Sequence, residues 1–397
     1  MKNNKQVFAY AALGALVASS NVHAQSSVTL YGLLDAGIEY VHGVANASGK
    51  DSNELKFSSG NTYGDRWGVR GSEDLGNGLH AIFDLQSGFN LGTGASGQGG
   101  LLFGRKAIVG LSSDNYGTVT LGRQYDPIVD LVQTYTEDAY FGGTFGTPGD
   151  VDNYDNSLRV NNSIKYASPI IQGLQVEALY GFGGVAGSTG SGQTYSFAGA
   201  YVNGPLAVAA GYLYANAGNT LGTNGYRTWT SSSGSLFQSP INDGFASAKA
   251  LSSARASGQY QLGPFTVGAA YSHSEYLRDS LSAFASAAKF NNVSAFANYR
   301  ASPALLLGAG YNYTLLTGAA KAKYNQFNVG IDYALSKRTS LYALAGYQVA
   351  SGKTLAVTST GTTEVIPATA SIGDSGNAAP TGVNTQFLTA IGIRSRF

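Results

Sequence analysis

Phe387-Leu-Thr-Ala-Ile-Gly-Ile-Arg-Ser-Arg-Phe397 ends the chain and decides its fold. Phe387, Ile391, Ile393 and Phe397 share one parity, while Arg394 and Arg396 fall on the other. Side chains alternate between the two faces of a strand, so one face is apolar and the other charged. In a soluble sandwich the polar face would meet outside water. In a membrane barrel the apolar face meets lipid and the polar face lines a lumen. A chain ending inside such a strand closes its sheet there.

The same alternation runs upstream. Phe327, Val329, Ile331 and Tyr333 alternate with Gln326, Asn328, Gly330 and Asp332. Val28, Leu30, Leu34, Ala36, Ile38 and Tyr40 oppose Thr29, Tyr31, Asp35 and Glu39. A two-residue period along the chain excludes a helical bundle. Strands are expected at 28–41, 62–72, 78–89, 101–112, 117–124, 160–168, 173–182 and 193–203, then at 205–215, 253–262, 264–277, 288–300, 304–316, 323–335, 339–350 and 386–397. This even set of sixteen predicts an all-β, antiparallel transmembrane barrel with both ends of the wall on one side.

Connections support that reading. Short ones such as Asn203-Gly-Pro205, Leu262-Gly-Pro264 and Ser336-Lys-Arg338 alternate with long ones that include 42–61, 125–159, 216–252 and 351–385. Short turns on one side and long loops on the other mark an outer-membrane barrel. None of the nine prolines falls in the interior of an expected strand, Pro205 and Pro264 standing at first positions where the missing ladder donor is tolerated. The Thr-, Ser-, Ala- and Gly-rich loop 351–385 reads as a solvated surface loop, and 216–252, with Trp229, Phe237 and Phe245, as one that folds back on itself.

Composition fits: 54 glycines, 26 tyrosines and 18 phenylalanines suit turn-rich β structure with aromatic anchors. Lys2 and Lys5, an apolar Val7–Ala18 core and Val22-His23-Ala24 read as an export signal over residues 1–24, leaving 25–397 as the barrel domain. Its removal takes the formal charge from +1 to −1, which gives no case for nucleic-acid binding. With no cysteine there is neither a disulfide framework nor a thiolate metal site.

The segment 125–159 is long for a connection within one domain. Its Ile128, Val129, Leu131, Val132, Tyr135, Tyr140, Phe141 and Phe145 argue against a segment waving in water. Gly142-Gly143 and Gly146 permit tight folding, so the loop is expected to fold into the barrel mouth.

Six stretches then carry a resemblance: Ser27-Val-Thr-Leu-Tyr-Gly32, Asp65-Arg-Trp-Gly-Val-Arg-Gly-Ser-Glu-Asp-Leu-Gly76, Leu102-Phe-Gly-Arg105, Gly117-Thr-Val-Thr-Leu-Gly-Arg-Gln-Tyr-Asp126, Asn161-Asn-Ser-Ile-Lys-Tyr166 and Arg396-Phe397. In order and spacing the chain resembles the general bacterial porins of the β-proteobacterial type. The resemblance implies a general diffusion porin of the outer membrane, homotrimeric, whose third external loop folds inward and narrows a water-filled pore. It implies no cofactor and no enzymatic activity. It also implies contact with outer-membrane lipids and lipopolysaccharide, and with the barrel-assembly machinery through the strand ending at Phe397.

In that family an arginine cluster on the wall faces acids on the loop. By motif the wall role passes to Arg66, Arg123 and Arg159, with Arg70 and Lys106 added on lumen-facing parity. A solvated wall residue or a structural salt bridge is the alternative reading of each. Arg123 shares parity with Val119 and Leu121, so it is expected where the strand ends or twists inward. The family's Pro-Glu-Phe-Gly-Gly element is Ala139-Tyr-Phe-Gly-Gly143 here, and Glu137 and Asp138 are the nearest acids. That departure tilts the expected selectivity toward anions. A substrate-specific channel, a barrel adhesin and a barrel enzyme are the competing readings. Lumen-parity positions rich in Ser, Thr, Gly, Asn and Gln disfavour the first.

Weaker signals resolve to bland readings. Gly373-Asp-Ser-Gly376 copies a serine-protease segment but sits in a low-complexity loop. His42, His80 and His273 are scattered, and Asp150, Asp152 and Asp155 lack the glycine and glutamate of a calcium loop, so no metal site is expected.

Overall fold

The computed structural model describes residues 27–219, 227, 229, 232–234, 237–357, 362–374 and 383–397; the expected export signal lies outside them. Strands β1 (Ser27–Ala45), β2 (Asp51–Ser59), β3 (Arg66–Gly76), β4 (Leu79–Gly88), β5 (Lys106–Ser113) and β6 (Gly117–Gln124) open the wall. It continues through β7 (Leu158–Ala167), β8 (Leu174–Gly181), β9 (Thr194–Asn203), β10 (Leu206–Asn216), a short β11 (Ser232–Gly234), β12 (Ala250–Leu262) and β13 (Phe265–Leu277). Then come β14 (Ala288–Arg300), β15 (Leu305–Gly318), β16 (Lys321–Ala334), β17 (Thr339–Val357), a short β18 (Thr363–Pro367) and β19 (Thr385–Arg396). All pairings are antiparallel, and β19 pairs with β1 from Leu33↔Arg396 to His42↔Phe387, closing the sheet.

The wall has sixteen positions, because β2 and β3 share one and β11 and β18 are loop additions. β1 pairs with β2 over Ala36–Ala45 and with β3 over Ser27–Leu33. Between them, Asp35 accepts from the Thr62 and Tyr63 amides at 2.8 and 3.0 Å, and Asp65 accepts from the Asp35 amide and Ser59 hydroxyl. Two buried carboxylates thus replace the missing ladder bonds. The wall position expected from 62–72 alone is therefore filled by two strands, β2 and β3, and 51–59, expected as loop, is wall.

The outer face is apolar: Leu30, Ile38, Phe57, Phe327, Val329 and Ile391 are all more than half exposed on the isolated chain. No described helix is long and apolar enough to cross a membrane; the strands do so instead. Inside lies a dry core. Ile128, Leu131, Val151 and Leu158 pack with Phe237, Ile241 and Phe245, and with wall residues Leu213, Leu251, Tyr276, Phe290, Leu316 and Tyr324. The lumen face of β10–β17 is thus more apolar than its Ser/Thr/Gly/Asn/Gln reading implies. Those aromatics are covered by loops and do not line a water path.

One expectation is overturned over the described residues: 351–357 and 362–374 are not a solvated surface loop. β17 runs on to Val357, β18 pairs with it, and Ala368, Thr369, Ala370, Ser371 and Ile372 are buried inside the barrel. Gln326, Gln348 and Gln386, paired across adjacent strands, hold that segment. Their side-chain oxygens accept from the Gly373, Ser371 and Ile372 amides, each at 2.8 Å. The described residues 237–249 also turn inward, through Phe237, Ile241 and Phe245.

Candidate functional site: a narrowed lumen

The loop 125–157 enters the barrel through a short helical run. The Asp126 carboxylate accepts from the Ile128 amide at 2.9 Å, and Ile128–Val132 and Asp138–Phe141 form brief helical turns. Phe141 stacks on Phe145 with centroids 4.9 Å apart. It fills a slot in the wall made by Gly308 and Gly330, which face each other across β15 and β16. A Cβ at Gly308 would stand 2.1 Å from the Phe141 ring and one at Gly330 2.6 Å from it, so only glycine leaves that room. The next residue, Gly142, has φ +78° and presses on the Thr62 carbonyl, which explains the need for glycine there.

Wall side chains fasten the loop along its length. Gln326 Nε2 donates to the Thr144 and Gly146 carbonyls at 3.1 and 3.2 Å, and Asn312 to that of Phe145 at 3.2 Å. Arg255 donates to the Asn153 carbonyl at 2.7 Å and stacks on Tyr154. Asp152 accepts from Ser272 and, at 3.0 Å, from Asn292. Asp150 accepts from the Asp155 and Ser157 amides at 2.9 Å. These carboxylates shape the loop, and no described group of three or more His, Asp or Glu is placed to hold a metal.

What stays open is a cavity of about 850 Å³ between the loop and the β1–β7 wall, lined by Arg66, Arg105 and Arg159, and by Glu39, Asp138, Asp155 and Asp374. Tyr125 lies among the cations. The Arg105 and Arg159 guanidiniums stand 5.8 and 5.7 Å from its ring centre, and the Lys106 ammonium 5.5 Å. Burial raises the Tyr125 hydroxyl, but Arg105, Arg159, Arg66 and Lys106 outweigh it and pull the group down to about 8. On the loop, burial lifts the Asp138 carboxyl to about 6 despite its bonds from Thr136 and Gln133. Burial and the neighbouring Asp374 raise Asp155.

The structure brings together Arg66, Arg159, Lys106 and Asp138 of the expected site. Three others lie elsewhere. Arg123 sits where β6 is irregular, with Gly122 at φ +128° and a register shift before Gln124. Its guanidinium, held by the Gly104 carbonyl at 2.8 Å and by Asn161, lines a separate pocket with Leu101, Leu102 and Phe103. Arg70 pairs across from Asp84 and stands 5.2 Å from the Tyr31 ring. Glu137 points behind the loop against Gly310, both carboxylate oxygens buried, and burial with Asp138 lifts it to about 9.

Sequence reasoning missed Arg105, Tyr125 and Asp155. Alternation places Arg105 on the parity opposite to Lys106, which reads as lumen-facing. Arg105 precedes the strand, however, and reaches inward with its Nε donating to Gln86 Oε1 at 3.1 Å.

The chain is thus a closed transmembrane barrel whose mouth is narrowed by its own loops. Residues 9–353 match the family described as Gram-negative porin. An outer membrane porin protein of Bordetella pertussis is 32% identical over 365 residues, covering 82% of this chain and 89% of that protein. Outer membrane porin protein 32 of Delftia acidovorans is 35% identical over 215 residues, half of this chain and 57% of that one. Among solved structures, the anion-selective porin from Comamonas acidovorans superimposes with a TM-score of 0.71 at 22% identity, over 94% of this chain and all of that one. OmpT of Vibrio cholerae in its trimer form gives 0.63 at 19%, over 94% and 99%. This chain belongs to the Gram-negative porin family, and it is a general porin of the outer membrane.

Proposed function

We propose that this porin passes small hydrophilic solutes down their gradients with a preference for anions, set by Arg66, Arg105 and Arg159. The observation that carries the reading is the lopsided cavity. Three arginines line its wall side, and a guanidinium keeps its charge at any working pH, whereas burial raises the Asp138 and Asp155 carboxyls on the loop toward their neutral forms. Fixed charge at a narrow passage sets which ions enter. Water fills the passage and the solute gradient drives flux, so neither a bound cofactor nor a catalytic group is needed.

The partners follow from the same reading. The chain assembles as a homotrimer, as OmpT does in its trimer form. It sits in outer-membrane lipid that includes lipopolysaccharide, and it is recognised during assembly through the strand ending at Phe397.

The test is a reversal potential across a planar bilayer under a salt gradient. The wild type should favour anions. Arg66→Ala with Arg105→Ala and Arg159→Ala should lose most of that preference, whereas Arg123→Ala, outside the cavity, should keep it. An unchanged potential in the triple variant would refute the assignment.

A further inference from the structure

The outer wall carries a second, unassigned cluster of charge. Lys289 on β14, Lys321 and Lys323 on β16 and Lys353 on β17 are all exposed. They lie on the lipid-facing parity, which on β16 continues through Phe327, Val329, Ile331 and Tyr333. Lys321 is directly opposite Lys353, and Lys323 is opposite Ser351 on one side and Leu315 on the other. Lys289 is opposite Thr317 on the intervening strand, so the four ammoniums form one patch.

Like charges directly opposite across strands repel, and no described carboxylate relieves the facing pair Lys321 and Lys353. Glu275 pairs with Lys289 at 3.1 Å and also meets His273. Lys321, Lys323 and Lys353 pair with no carboxylate among the described residues. Glu364 on the neighbouring β18 stands opposite Ala356, farther from the membrane, without an ion pair.

Position identifies the missing counter-charge. The patch lies at the end that carries the long loops, hence the outer leaflet of the membrane. The aromatic row Tyr311, Phe327 and Tyr347 marks the upper edge of the apolar band below it. Lys323 is four residues beyond Phe327, about 13 Å along the strand, at the depth of lipid headgroups. We propose that Lys321, Lys323 and Lys353, flanked by Lys289, form a binding site for the phosphate groups of an outer-leaflet glycolipid, its acyl chains lying on the band below. Ammonium stems bury along apolar surface while their heads meet phosphate. The inference rests on the outer-membrane porin reading and adds to it the residues that meet the lipid.

The test uses the full refolded chain in neutral detergent. Bisphosphorylated lipid A, lipid A stripped of its phosphates, or inorganic phosphate is added at equal concentration. Retained lipid per chain and thermal unfolding are then read. Bisphosphorylated lipid A should be retained and raise the unfolding temperature, and the other two should do neither. Lys321→Ala with Lys323→Ala and Lys353→Ala should weaken retention at least tenfold, whereas Lys321→Arg with Lys323→Arg and Lys353→Arg should keep it. Equal retention by the Ala variant, an equal effect of stripped lipid, or an effect of inorganic phosphate alone would overturn the proposal. So would an altered oligomeric state with unaltered lipid retention, which would make the patch a contact between copies. Single-channel conductance of the same preparations stands apart. Its absence in the wild type would refute the porin reading, and its persistence in the Ala variant shows that the barrel still folds.

Discussion

Tyr125 is the residue on which the electrostatics of the passage turn. Alone, a buried phenol keeps its proton far above neutral pH; here the surrounding cations pull it down to about 8. Below that pH the hydroxyl is neutral and the arginines act undiluted. Above it a phenolate cancels one positive charge. Anion preference should therefore fall as pH rises from about 7 to 9, read as a shrinking reversal potential. Tyr125→Phe keeps a ring beside Arg105 and Arg159 but has nothing to titrate, so its reversal potential should stay flat over that window. A Phe variant that follows the wild-type curve would assign the titration to another group. Arg105 teaches a related lesson at the same scale: alternation is a rule for residues inside a strand, and it misleads one position before the strand begins.

At the scale of elements, two segments enter the barrel by different physics, which explains why only one was legible. The segment 125–157 announces itself by apolar side chains, and these do seat it, Phe141 in its glycine slot above all. Gly330→Leu should fill that slot and unseat the loop without touching the outer wall. Larger and noisier single-channel conductance would register this, while unchanged conductance would mean that the loop has other sufficient anchors. Ala368–Ile372 carries no comparable signal, because small and hydroxylated residues read as solvated loop. It is held through its backbone by three glutamines on other strands, a contact that no local pattern reveals. The β2–β3 break was hidden for the same reason. Asp35 looks like an ordinary lumen-parity acid, and Asp65 like one member of the Asp-Arg-Trp-Gly stretch, until the folded chain shows each bonded to an amide some thirty residues away.

For the whole molecule, closure was the most legible property, because it depends on a period that two residues reveal. The structure adds a seat for the last ring. Gly32 and Phe397 exchange both backbone hydrogen bonds at 3.1 Å, and a Cβ on Gly32 would meet the Phe397 ring at 2.3 Å. Gly32→Val should therefore lower the temperature at which the folded barrel loses its compact gel migration, while Gly190→Val, in the loop between β8 and β9 where a Cβ meets only the Gln193 side chain at 3.9 Å, should leave the closure intact. Equal losses in both would argue against the seat. The interior is solid on one side, where three loops and the β10–β17 wall share a dry core, and hollow along β1–β7. A hoop buttressed on one side only cannot breathe evenly. Its thermal fluctuations should gather in the unsupported arc, so the largest solute that passes should depend on how far that arc bows outward as well as on the width of the resting gap.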